Sequence, residues 1–227
     1  MCGRFSLATD EFSVKVYLAN RFNINRNAAS LDLPRYNIAP GQMVLSLIND
    51  GRAFRHGYLK WGYVPDYDAK SQNPQRIINL RSETILEKSY LAASVAKRRC
   101  VILADGFYEW RKTSTGKIPF RIRSTDQELF PMAGLWNSHT DSRGNKEHTV
   151  AILTVAANGI VKDIHERMPV ILNDTDAKLW LEAQPPSLVE LKQLLLPYPD
   201  ELTTMYEVSD IVNSYANESP ACIVPAN

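Results

Sequence analysis

The second residue of this chain is a cysteine, and that position gives it chemistry an internal cysteine lacks. Methionine aminopeptidases act when the second residue is small, so the mature chain is expected to begin at Cys2. An N-terminal cysteine carries an α-amine and a thiol on adjacent carbons. The amine titrates at about 7.7–8.0, so a useful fraction is neutral and nucleophilic at physiological pH. The thiol titrates near about 8.5 before its surroundings act on it. With an aldehyde, the amine forms a Schiff base and the thiol then closes a five-membered thiazolidine ring. Gly3 permits close backbone approach, and Arg4 sets a phosphate-binding fork beside the nucleophile.

Four further segments carry residue types suited to a site. Arg35-Tyr36-Asn37-Ile38-Ala39-Pro40-Gly41 reads equally as a site loop or a structural Pro-Gly turn. If residues 77–81 are extended, Asn79 and Arg81 share one face, while Ile78 and Leu80 share the other. That suits a pocket wall, the alternative being an edge strand with a helix cap. In Asp105-Gly106-Phe107-Tyr108-Glu109-Trp110, strand alternation places Glu109 on one face with Phe107 and Arg111. A carboxylate beside aromatic surface is partly desolvated, which raises its pKa toward acid–base usefulness. In Asp163-Ile164-His165-Glu166-Arg167-Met168-Pro169, a histidine lies two residues from an arginine, before a Met-Pro that stops a helix.

The elements that must position these residues are legible as patterns. A helix is expected over 9–22, capped by Thr9 or Asp10, with apolar positions at Phe12, Val16 and Leu18. Residues 43–49 and 53–64 read as a hairpin around Asn49-Asp50-Gly51. Residues 82–96 read as a helix with Ser82 or Thr84 as cap and Glu87 placed for a capping box with Thr84. Strands are expected over 99–104, 107–112, 118–123, 130–137 and 148–156, separated by turn residues. Helices fit 174–183 and 187–195, and a last strand fits 203–208. Many hairpin-linked strands with a few helices predict a single α+β domain over 1–227, with an antiparallel, barrel-like core and flanking helices.

Composition narrows the class. Hydrophobic residues are 44% and charged residues 22% of 227, an ordinary globular balance. No apolar run is long enough for a membrane span, and the N-terminus does not read as a secretory signal, so a cytoplasmic protein is expected. Cys2, Cys100 and Cys222 do not form a disulfide framework, and no CxxC or HxxxH spacing marks a metal site. Cys100 reads as a buried core thiol. The net charge of +1, taken alone, points away from nucleic acid, so a DNA-binding reading requires positive charge gathered in one groove.

Taken together, MCGRF, RYNIAP, WGYVP, INLRSET, ADGFYEW, DIHERMPVIL and the tail VSDIVN resemble, in order, the motifs of the SRAP family (SOS-response-associated peptidase, also called abasic-site processing proteins). The resemblance runs over nearly the whole chain. It implies the single-domain SRAP fold and a sensor that bonds covalently to ring-opened abasic sites in single-stranded DNA. It makes Cys2 the nucleophile, Asn79 the residue that positions or polarises the reacting groups, Glu109 the acid–base and His165 the helper in ring opening and reversal. It makes Arg4, Arg81 and Arg167 the phosphate holders. It implies a weak strand-cleaving lyase activity, with no cofactor and no metal. A monomer is expected, soluble and associated with the nucleoid when on DNA. One departure stands out: some family members carry adjacent tryptophans after WGYxP, where this chain has Pro65-Asp66-Tyr67-Asp68. Tyr67 is the expected stacking residue there, with Asp66 and Asp68 adding negative charge beside it.

Rival readings start from the same cysteine. An N-terminal-nucleophile amidohydrolase of the glutaminase type also begins Met-Cys-Gly and uses its own α-amine as base, but Arg4 and the missing glutamine-binding motifs argue against it. An autoprocessing protease would use Cys2, Glu109 and His165 to remove Met1. A non-catalytic DNA-binding module would tolerate replacement of Cys2 by serine.

Overall fold

A computed structural model describes residues 2–25, 30–184 and 187–226. Its strands are β1 (Phe5–Leu7), β2 (Arg35–Ile38), β3 (Met43–Asn49), β4 (Phe54–Trp61), β5 (Asn79–Arg81), β6 (Arg99–Ala104), β7 (Gly106–Thr113), β8 (Gly116–Ser124), β9 (Phe130–Thr140), β10 (Lys146–Ala156), β11 (Arg167–Pro169) and β12 (Thr203–Glu207). The helices are α1 (Glu11–Phe22), α2 (Ala92–Lys97), α3 (Gly159–Lys162), α4 (Asp174–Leu181) and α5 (Leu188–Gln193).

The strands form two systems. β10, β4, β3, β6 and β9 pair in that order, and β9 pairs back to β10, closing a five-stranded barrel. β5 and β11 extend it by pairing with the far end of β10. The second system is an open sheet in the order β12-β8-β7-β1-β2. The expected single α+β domain with a barrel-like core is therefore present. Pairing is mostly antiparallel, but β10 runs parallel to both β4 and β5. Those two contacts join segments far apart in sequence, which hairpin signals cannot foretell.

Burial explains the patterns. β6 is buried at every position, because the barrel covers one face and α4 the other, where Trp180 Nε1 donates to Cys100 O at 2.9 Å. A strand covered on both sides reads as a continuous apolar run. Cys100 is a core thiol, as expected. The open sheet separates two clusters. Phe5, Phe107 and Ile122 join the main core, while Tyr108 packs with Val208, Val212 and Cys222 of the C-terminal tail.

Two helical expectations need correction. Asp10 caps α1, accepting from Ser13 N–H at 3.0 Å, but the buried stripe is Val14, Leu18 and Phe22, and Phe12 is 73% exposed. The i, i+4, i+8 spacing of that stripe is the true core face. The helix expected over 82–96 is broken into 3-10 turns at Ser82–Thr84 and Ser89–Leu91, followed by the short α2. No side-chain cap bond forms at the first of these turns. Instead Glu83 is drawn to Arg167, and Ile85 and Leu91 bury into the main core, so tertiary contacts override local helical preference.

Candidate active site at the seam of barrel and sheet

The chain start, β5, β7 and the loop before β11 meet where the open sheet abuts the barrel. Phe5 pairs with Phe107, and Tyr108 N–H donates to Arg4 O at 2.9 Å, so β7 carries the first residues beside Glu109. From the barrel side, β5 lies parallel to β10 with Asn79 opposite Ile152. Asn79 Nδ2 donates to Cys2 O at 2.7 Å. Its Oδ1 is buried without a hydrogen-bond partner.

Electrostatics tie the remaining groups together. Glu109 is buried, and burial pushes its carboxyl above the usual range, with the amino terminus and then His165 opposing. Burial is also the largest cause that raises the Cys2 thiol, and the Glu109 carboxylate adds to it. The thiol is fully buried, with Sγ 3.9 Å from Arg4 O. The His165 ring is oriented by Arg167 N–H, which donates to Nδ1 at 3.0 Å. The same Nδ1 lies 3.2 Å from Arg167 O, so which ring nitrogen carries the hydrogen depends on the tautomer. A cavity of about 550 Å³ opens beside these groups, lined by Glu109, Trp110, Lys112, Lys117, His165 and Asn213. Cys2 is fully buried and is not part of this lining.

The structure thus gathers Cys2, Asn79, Glu109 and His165. The residues expected to hold DNA are placed differently. Arg4 Nη1 donates to Asn37 Oδ1 at 2.7 Å and to Val212 O at 2.8 Å. Arg167 grips Glu83 with two bonds, Nη1 to Oε1 at 2.6 Å and Nη2 to Oε2 at 2.8 Å, and also donates to Thr154 O. Both guanidinium groups therefore have internal acceptors. Arg81 is exposed at the end of β5. Tyr67 is 67% exposed and meets Tyr90 edge to face at 5.5 Å. Asp66 accepts from Asn137 Nδ2 at 2.7 Å and Asp68 from Gln75 N–H at 2.5 Å, so both acids beside Tyr67 have structural partners.

Sequence reasoning missed the tail clamp. Asn37 Nδ2 donates to Ser214 O at 2.9 Å and Asn217 O at 2.8 Å, while Glu218 accepts from the backbone N–H groups of Tyr36 and Asn37. The RYNIAP segment is thus the staple that holds the C-terminal tail and, through Arg4, the chain start. Gly41, which follows it, takes at φ +87° a turn conformation that favours glycine. Trp110, Lys112 and Lys117 were also missed as cavity residues; the positive charges flanking the 113–116 turn were their signal.

Fold and site together define a single-domain α+β protein whose second residue is held at a barrel–sheet seam among an amide, a raised carboxyl and an imidazole. The chain belongs to the SOS response associated peptidase (SRAP) family, whose model matches residues 1–215. It is 39% identical over 225 residues to the abasic site processing protein YoqW of Bacillus subtilis strain 168, covering 98% of this chain and 99% of that one. It is 35% identical over 192 residues to the abasic site processing protein HMCES of Gallus gallus, covering 74% of this chain and 56% of that one. A crystal structure of a Bacteroides thetaiotaomicron protein shares the fold over 100% of both chains, with a TM-score of 0.84 at 22% identity.

Proposed function

We propose that this protein processes abasic sites in DNA, and that it does so by a covalent bond from Cys2 to the ring-opened sugar in single-stranded DNA. The observation that carries the reading is the convergence of Cys2, Asn79, Glu109 and His165 from four separate segments on one seam. The relatives named for abasic-site processing support the substrate.

With Met1 removed, the Cys2 amine adds to the C1′ aldehyde to give a carbinolamine. Loss of water gives an imine. The thiol then adds to the imine carbon, its proton passes to the ring nitrogen, and a thiazolidine closes. The sum is aldehyde plus aminothiol giving thiazolidine plus one water. Glu109, with its raised carboxyl, is the group suited to deliver a proton to the departing hydroxyl and to relay the thiol proton. Asn79 fixes the Cys2 carbonyl and with it the backbone of the nucleophile. His165 stands by the sugar as the proton donor for ring opening and for reversal. A thiol held neutral by burial suits an order in which the amine attacks first. The imine stage also permits β-elimination, hence weak lyase activity. Among the described residues, no helix is long and apolar enough to cross a membrane.

The test is a denaturing gel shift with an abasic single-stranded oligonucleotide. Wild type should crosslink; Cys2→Ala and a protein carrying one residue inserted before Cys2 should not. Equal crosslinking by the extended protein would overturn the thiazolidine mechanism. Glutamine hydrolysis by purified protein without crosslinking would favour the amidohydrolase alternative.

A further inference from the structure

The cavity beside Glu109 and His165 has a charged wall that the reaction above does not use. In the β7–β8 hairpin, Lys112 stands directly opposite Lys117 in the register. Directly opposed residues in an antiparallel pair have Cβ atoms about 4.5–5.5 Å apart, and like charges placed so repel. A four-residue tip, 113–116, joins them, and nothing in that turn requires a lysine at either flank. Both side chains are exposed and line the same cavity.

No carboxylate lies within ion-pair distance of either lysine among the described residues. Of the other lysines, Lys15 meets Glu11 at 2.8 Å and Lys60 meets Glu147 at 2.7 Å; what sets Lys112 and Lys117 apart is their direct opposition across the hairpin. A repulsive pair kept unneutralised at the mouth of a reactive cavity is an arrangement that an anion would relieve. In a chain of net charge +1, it is also a local concentration of positive charge.

Two neighbours complete the wall. Trp110, on the same strand face as Lys112, is half-buried, and its Nε1 donates to Asn213 Oδ1 at 2.7 Å, which fixes the indole plane. A fixed aromatic surface beside two ammonium groups matches a nucleotide, base on ring and phosphate on nitrogen. Two of the three arginines that the sequence suggests for phosphate are by contrast bound internally, Arg4 to Asn37 and Arg167 to Glu83, while Arg81 is exposed at the end of β5.

We infer that Lys112 and Lys117 form a grip for a backbone phosphate of the DNA strand next to the lesion, with Trp110 as the adjoining base platform. This deepens, and rests on, the reading of the seam as an abasic-site reaction centre.

The experiment measures binding of full-length protein to an intact, non-abasic single-stranded oligonucleotide by fluorescence anisotropy across a salt series. Lys112→Ala/Lys117→Ala should bind about tenfold more weakly at low salt, the loss of one charge-assisted contact. Its slope of log affinity against log salt should shrink by about 0.7 for each phosphate released. Lys112→Arg/Lys117→Arg should keep the wild-type slope. Lys178→Ala, on α4 away from the cavity, should also keep it. An unchanged slope in the double alanine variant overturns the grip, and so does an equal loss in Lys178→Ala. A second readout needs no DNA: Lys117→Glu should raise the thermal midpoint by replacing repulsion with attraction, and a lowered midpoint counts against the opposed pair. Crosslinking to abasic DNA by wild type separates the two layers. If wild type crosslinks and the lysine variants keep the wild-type slope, the grip fails alone. If wild type binds intact DNA through the lysines without crosslinking, the covalent reading fails alone. Failure of wild type to bind single-stranded DNA sinks both.

Discussion

The pairing of β1 with β7 holds two polar clusters that differ in nearly every respect. At the inner end, Asp105 and Arg121 form a buried ion pair at 2.8 Å. Asp105 Oδ1 also accepts from Ser6 Oγ at 2.6 Å, and Oδ2 accepts from the N–H groups of Ala8 at 2.6 Å and Thr9 at 2.9 Å. Arg121 Nη1 continues to Tyr206 Oη at 2.8 Å. At the outer end, where β7 and the chain start meet β5, Asn79 Oδ1 has no partner among the described residues and the Glu109 carboxyl is raised by burial. Gly106 shows how tight the inner end is: a Cβ there would lie 2.6 Å from Arg121 Nε. A fully satisfied network fixes geometry, whereas an under-satisfied one stores the unmet demand that a reacting group can answer. The strand pair is an anchor at one end and a reaction centre at the other.

The contrast can be broken most forcefully at the anchor. Asp105→Ala leaves the Arg121 charge buried without its carboxylate and should cost about 3–5 kcal/mol, read from urea unfolding midpoints at constant m value. A loss under about 1 kcal/mol would remove the distinction between the two ends.

Glu109→Gln should do the opposite. The folded protein holds the Glu109 proton more tightly than the unfolded chain does. Wild-type stability should therefore fall as pH rises from the ordinary carboxylate range through the raised folded value, because ionising the buried group is costly. The glutamine variant lacks that fall and should have the higher thermal midpoint at neutral pH, with the gap closing in acid. Its crosslinking rate should drop by about 10²–10⁴-fold, the usual worth of a general acid–base. Loss of stability together with loss of rate would instead make Glu109 a structural carboxylate.

Asn79→Ala gives the smallest change in stability. It removes a 2.7 Å bond to Cys2 O and, at the same time, a buried acceptor with no partner. The two effects oppose each other, so the net change should stay within about 1 kcal/mol, while crosslinking slows. An unchanged rate would show that the amide merely fills space.

Much of the site is local information. A cysteine at position 2 is a fact of covalent order, and so is the chemistry of an aminothiol. Glu109 beside Phe107 and Asn79 opposite in sense to Leu80 follow from strand alternation, and the burial of Glu109 and Leu80 agrees with it. The hairpins, the cap at Asp10 and the apolar run of β6 were readable because each depends on near neighbours in the chain.

Other features depend on who meets whom across the fold. Barrel closure through the parallel contact of β10 with β4, and the addition of β5 to β10, join segments with no short turn between them. The same holds for charges. By type alone Arg4, Arg167, Lys112 and Lys117 are all cations fit for phosphate. Only the folded chain gives Arg167 to Glu83 and Arg4 to Asn37, while it sets the two lysines face to face at the cavity. The sequence determined which groups could react, because reactivity is a property of the residue. The tertiary structure decided which of them are buried, paired or left open, because solvation and partner choice are set by contacts that form only when distant segments pack.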